Sequence, residues 1–259
     1  MTKKEYAEQI AKLVGGKVTE TTKTNGIVFT GIVIPNDLNN ITPVIYIDGM
    51  YERNYSVEQA AEKVKEAYME NASIQVDISW LTDFEMVKPK LVARLYNAKT
   101  AAEVYISAEK YGFDDLIIIP YVTVNGSMSA KVTKALLDRW GMTENEVIYI
   151  SIKNANHVIL SMSELAPVQD IENFPMLVVT NEEKYLGAFS VIKAKEELAE
   201  RFPGGYVVLP SSIHECIVVS LTDVDVDYCV KMVREVNREC VEPEDWLSDN
   251  IYIFNGGEE

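Results

Sequence analysis

The stretch GGYVVLPSSIHECIVVS, Gly204 to Ser220, sets an apolar, β-branched run on either side of PSSIHE. Val207 to Leu209 and Ile217 to Val219 carry residue types that favour strands, and Pro210 with two serines supplies the chemistry of a turn. Helical patterns lie on both sides, SVIKAKEELAERF before and DVDYCVKMVREVNREC after. Strands and helices in that mixed order predict an α+β class, with mixed sheets flanked by helices in two lobes.

The same turn holds the chain's catalytic candidates, Ser211, Ser212, His214 and Glu215. If the segment is extended, Ser212 and His214 project to one face within reach of each other, and Glu215 points to the other. A nucleophilic serine also needs donors for the oxyanion, and no GxSxG elbow or glycine-rich loop adjoins this one. The structural alternative is simpler. Pro210 ends one strand, the serines bond the backbone of a turn, and His214-Glu215 begin the next strand.

Working outward, KKEYAEQIAKLV places Tyr6, Ile10, Leu13 and Val14 at helical spacing, and Gly15-Gly16 closes it. KVTETTKT and GIVFTGIVI form a hairpin about Asn25-Gly26, and PVIYID continues as a third strand. Ser56 caps the next helix, with Gln59 completing a capping box. KLVARLYNA reads as a strand or buried segment, and DDLIIIPYVTVN as a central strand in which Pro120 imposes an edge or a bulge. Two helices, KVTKALLDRWG and TENEVIYISIKNA, are split at Gly141. Two prolines and no apolar period mark 167–175 as a boundary between an N-terminal lobe, 1–166, and a C-terminal lobe, 176–259. The second lobe ends on the strand NIYIF.

With 40 acidic against 24 basic side chains, the formal net charge of the 259-residue chain is -16. Such a surface repels phosphate backbones, and its densest basic run, KPK at Lys88 to Lys90, is too short for a nucleic-acid footprint. Neither nucleic acid nor an anionic membrane is an expected partner; a basic protein is. The charged N-terminus has no secretory h-region and no run reaches membrane-helix length, so a cytoplasmic location is expected.

Cys216, Cys229 and Cys240 are odd in number and form no CxxC pair, which predicts reduced thiols. His157 and His214 lie far apart, and DVDVD at Asp223 to Asp227 lacks the glycine and the closing Glu of a calcium loop, so no metal is expected; Asp225 or Asp227 reads better as a helix cap. Gly15 to Lys17 lacks the spacing of a phosphate loop, and no cofactor is expected. Trp246 and Leu247 are expected to pack on the body with Asp249 at a turn; an exposed Trp246 beside Asp249 would mark a partner surface.

Taken in order, GIVIPNDLNNITPVIYIDGMYE, RLYNA, DLIIIPYV, LLDRWGMTENEV, MLVVTNEEKYLGA, VVLPSSIHECIVV and MVREVNRECVEPEDWLSDNIYIF resemble a bacterial family, domain of unknown function 5688. The likeness spans nearly the whole chain, and LPSSIHE and VNRECVEPEDWLSDNIY are its most specific pieces. It implies a bacterial protein, in some cases carried on mobile elements, and brings no cofactor or catalytic residue with it. Three functional readings stand. The first is a non-enzymatic protein-interaction or regulatory module. The others are a Ser/His hydrolase-like enzyme at PSSIHE and an acidic decoy that blocks a nucleic-acid-binding protein.

Overall fold

A computed structural model describes residues 1–23, 26–35, 42–71, 77–125, 128–161, 164, 176–210 and 212–256. Among them are nine α-helices and twelve strands arranged in three antiparallel sheets, an α+β fold. No helix among the described residues is long and apolar enough to cross a membrane. The chain divides into two compact units, Met1–Ser79 and Trp80–Glu259.

In the first unit, α1 (Lys3–Val14) starts on a capping box of Thr2 with Glu5 and stops at Gly15, whose left-handed φ of 69° ends the helix. Strands β1 (Lys17–Thr22), β2 (Val28–Val33) and β3 (Val44–Tyr46) follow in that order across one sheet. Asn25 of the expected hairpin turn lies outside the described residues. The sequence reading missed α2 (Asp48–Glu52), a short turn of helix after β3. Its buried Asp48 accepts the Thr30 N–H at 2.9 Å and pairs with Lys3 at 2.7 Å. Helix α3 (Val57–Asn71) begins on the predicted Ser56–Gln59 box. Tyr6, Ile10, Ile32, Ile47, Ala60 and Val64 form the core of this unit.

The second unit holds the remaining two sheets. The first contains β4 (Leu91–Asn97), β5 (Ile106–Ser107), β6 (Leu116–Asn125) and β7 (Met128–Lys131). Strand β6 is central: β4 pairs with one side of it, and β5 and β7 share the other. Pro120 therefore forces neither an edge strand nor a bulge at its own position. It stands between Ile118, where β5 pairs, and Tyr121, where β7 begins, so its missing N–H falls in a gap in the ladder. The register shift of β6 lies further on, between Thr123 and Asn125.

Helix α4 (Phe84–Val87) precedes β4, and α5 (Lys134–Trp140) and α6 (Glu144–Asn154) follow β7. Gly141, at φ 65°, separates α5 from α6, and α6 opens on a capping box of Thr143 with Glu146. The other sheet runs β12 (Tyr252–Asn255), β10 (Gly205–Leu209), β11 (Cys216–Ser220), β9 (Met176–Thr180), β8 (Val158–Ser161). The expected lobe boundary at 167–175 lies outside the described residues, and β8 and β9, on either side of it, pair with each other.

Burial on both faces explains why β10 and β11 read as continuous apolar runs rather than alternating ones. Tyr206, Val208, Cys216 and Val218 point into the large core of this unit. Val207, Leu209 and Val219 pack on the opposite face against Cys229 and Val233 of α9 (Val226–Glu239). The single helix expected in SVIKAKEELAERF is divided at Ala194 into α7 (Ser190–Lys193) and α8 (Lys195–Arg201).

Candidate functional site

Residues 210–215 join β10 to β11 as the turn of an antiparallel hairpin. The turn closes on Ser212, whose N–H donates to the Glu215 carbonyl at 3.3 Å. That curvature alters the side-chain geometry expected of an extended segment. Ser212 Oγ, buried, donates to Glu215 Oε1 at 2.9 Å and accepts the backbone N–H of His214 at 2.9 Å. Ser212 and Glu215, placed on opposite faces by the extended reading, are thus brought together. The His214 ring is directed elsewhere. Ser211 lies outside the described residues.

The His214 ring joins two other segments. Its Nδ1 accepts the Leu186 N–H at 3.0 Å, which places the ring proton on Nε2, 3.3 Å from Asp245 Oδ1. With Nδ1 filled by a peptide donor and Nε2 facing a carboxylate, neither nitrogen is left in this geometry to take a proton from Ser212. The Tyr185 ring lies 4.9 Å from the imidazole, centroid to centroid. The histidine backbone adds two more ties, its carbonyl accepting from Thr180 Oγ1 at 2.8 Å and from the Gly187 N–H at 3.0 Å.

These bonds hold a strained loop after β9. Lys184 and Leu186, neither of them glycine, both have φ 53°, a left-handed conformation that costs on the order of 1–3 kcal/mol per residue. Asn181 closes the loop from both sides, accepting the Tyr185 N–H at 3.1 Å and donating to the Tyr185 carbonyl at 2.9 Å. Gly187 has no room for a side chain, since a Cβ there would stand 2.4 Å from Thr180 Oγ1 and 2.6 Å from the Asn181 nitrogen. Nothing in the run NEEKYLG showed what this loop does. Only the Asn at the start and the Gly at the end of the run hinted at an Asx-closed loop.

His214→Ala is therefore expected to lower the local stability of residues 181–188 by about 1–3 kcal/mol, because the Leu186 N–H loses its acceptor. Amide exchange measures it. Protection should fall at Leu186 and Gly187 and persist in β10 and β11; unchanged exchange at Leu186 would show that the imidazole does not hold the loop.

Beside this loop runs a groove of about 110 Å³ lined by Val92, Ala93 and Arg94 of β4, by Thr123 of β6, and by Asn181 and Tyr185 among the loop residues. A second hollow of about 70 Å³ continues along β4 past Asn154 and Gly187. The Arg94 guanidinium lies over the Tyr121 ring at 4.3 Å. Tyr185 stands half exposed on the loop side.

The tail residues are tied into the same unit. Trp246, half-buried, donates from Nε1 to Asp249 Oδ1 at 3.0 Å, and the same oxygen accepts from Asn237 at 2.9 Å. Leu247 and Ser248 are fully buried. Ser248 Oγ donates to Asp115 Oδ2 at 2.7 Å, and Tyr252 donates its hydroxyl proton to Asp115 Oδ1 at 2.5 Å. Asp115, which no motif singled out, anchors the C-terminal segment.

Among the described residues no group of three or more His, Cys, Asp or Glu side chains is arranged to hold a metal ion. Asp225 caps α9 by accepting the Tyr228 N–H, Asp223 accepts from Thr222, and His157 pairs with Glu197 at 3.1 Å. The three cysteines are free thiols, and burial pushes the Cys216 thiol well above its ordinary range.

The model of a family of unknown function, DUF5688, matches residues 2–256. No curated protein and no solved structure matches the chain.

Proposed function

We propose that this chain, which belongs to the DUF5688 family, is a protein-interaction module whose recognition surface is the groove between β4 and the Asn181–Leu186 loop. The observation that carries the reading is the strained loop. Of its two left-handed non-glycine residues, Leu186 is held by the His214 ring and Lys184 by the Asn181 carbonyl, and a fold retains strain of that kind where it shapes a surface. His214 acts here as a strut between the hairpin, the loop and Asp245, and Ser212 as the closure of its own turn.

Charge supports a basic partner. Residues 80–259 carry 16 basic against 29 acidic side chains, whereas residues 1–79 carry eight against eleven. Unpaired negative charge around a binding surface accelerates encounter with a cationic protein and makes the association salt-dependent.

The test is a pull-down from lysate of the native host at low and high salt, with wild type and an Asn181→Ala/Tyr185→Ala variant of unchanged melting behaviour. A partner that is held by wild type at low salt, lost from the variant and reconstituted from purified proteins supports the module. A partner bound equally by both places recognition elsewhere. A nucleic-acid-binding protein that heparin displaces would favour the acidic-decoy reading instead.

A further inference from the structure

We infer that the partner is engaged as an extended peptide segment that adds to the free edge of β4 at Ala93. The inference rests on the groove being the recognition surface and goes on to name what fills it. Among the described residues, strand β4 pairs on one side only, with β6, and in that ladder Ala93 stands opposite Pro120. Opposed residues in an antiparallel pair either exchange both backbone hydrogen bonds or exchange neither. Proline has no N–H to give, and the Pro120 carbonyl is taken from the other side by the Val132 N–H at 3.1 Å. The pair is therefore the non-bonded kind, and the N–H and C=O of Ala93 both point away from β6.

Leu91, two residues earlier, has the same orientation. Its carbonyl is capped by Asn154 Nδ2 at 2.9 Å. No such cap closes on Ala93 among the described residues, although its side chain is buried. Both hollows beside the Asn181 loop contain Ala93 in their walls. At about 10–15 Å³ for one water, they have room for several, which an incoming backbone would displace while replacing their hydrogen bonds.

A backbone donor and acceptor left unbonded on one strand residue, in the wall of a groove, is the arrangement that strand addition uses. Main-chain pairing sets the affinity, and the side chains at alternate positions of the peptide read the rim. Glu183 lines both hollows and Arg94 only the first, so the acidic end of the groove is the second hollow, and there the rim favours a lysine or arginine in the segment.

The experiment selects a phage-displayed library of random dodecapeptides on the full chain and measures the enriched peptides by fluorescence polarisation. Expected are sequences carrying Lys or Arg whose affinity falls at least tenfold for Ala93→Pro, which removes the N–H at an edge position, and on N-methylation of the peptide backbone. Peptides that bind, lose affinity with Tyr185→Ala and ignore both Ala93→Pro and N-methylation would overturn strand addition and leave the groove as the surface. No enrichment over a protein-free control would overturn both. Should Ala93→Pro fail to fold, amide exchange of wild type decides. The Ala93 N–H must be unprotected in the free chain and protected in the complex, and no gain of protection on binding overturns the inference.

Discussion

Asp115→Ala lowers the unfolding free energy of the Trp80–Glu259 unit by about 3–4 kcal/mol, since it strands two buried hydroxyl donors at roughly 1–3 kcal/mol each. Tyr252 and Ser248 are 4% and 0% exposed, so their hydroxyls have little access to water once the carboxylate is gone. Tyr252 packs edge-on against Phe113 at 4.7 Å between ring centroids, which restrains the hydroxyl from turning to another partner. Asn97 adds a long third contact at 3.5 Å and donates a better bond to the Leu247 carbonyl at 3.0 Å. Asp115→Asn retains an oxygen acceptor and should lose about half as much. The three tryptophans, Trp80, Trp140 and Trp246, all belong to this unit, so their fluorescence in a urea titration reads it directly. A loss below about 1 kcal/mol would mean that the tail is held by apolar packing of Leu247 rather than by Asp115.

The second large effect is alkaline instability. Burial pushes the Tyr206 hydroxyl from 10.0 up to about 12. It pushes Tyr96 and Tyr252 up further, Tyr252 with added help from its bond to Asp115. The Cys216 thiol is raised from its ordinary 9.0, again chiefly by burial. Each raised group keeps its proton in the native state at a pH where the unfolded chain has lost it, so its contribution is whole below the unfolded value and is lost as pH rises through the folded one.

For Tyr206 the window of loss is 10.0 to about 12. Within such a window each group removes about 1.4 kcal/mol per pH unit. Stability measured by circular dichroism should therefore hold to about pH 9 and then fall with a slope of several groups acting together. Tyr206→Phe should remove one share of that slope. A stability curve flat through pH 11 would contradict the burial of these side chains.

How much was legible in the sequence depends on how local the cause is. Helices α1, α3 and α6 were readable to within a residue because their causes are local, the apolar spacing closed by Gly15 in α1 and the caps Ser56 and Thr143, which act over three residues, in α3 and α6. The strands flanking PSSIHE were readable from their apolar runs. The short strands β5, β7 and β8 were not, because their two to four residues carry too short an apolar run to show a period, whereas β3 and β12, equally short, sit in the β-rich runs PVIYID and NIYIF. Pro120 was read as a disturbance because a sequence does not say on which side its absent N–H will fall.

The candidate site divides the same way. That PSSIHE is a turn follows from Pro210 and the serines alone, as does the scarcity of histidine that drew attention to it. What the histidine does was decided by residues 28 and 31 positions away, Leu186 and Asp245, and the anchor of the tail by Asp115 and Tyr252, 137 residues apart. Elements whose causes lie within a turn or a strand were legible in the residues alone, as was the acidity of the chain. Which way the His214 ring turns, which edge of β4 is left unpaired among the described residues and which carboxylate holds the tail came from the three-dimensional packing, because hydrogen bonds and burial are made between segments that composition and spacing do not bring together.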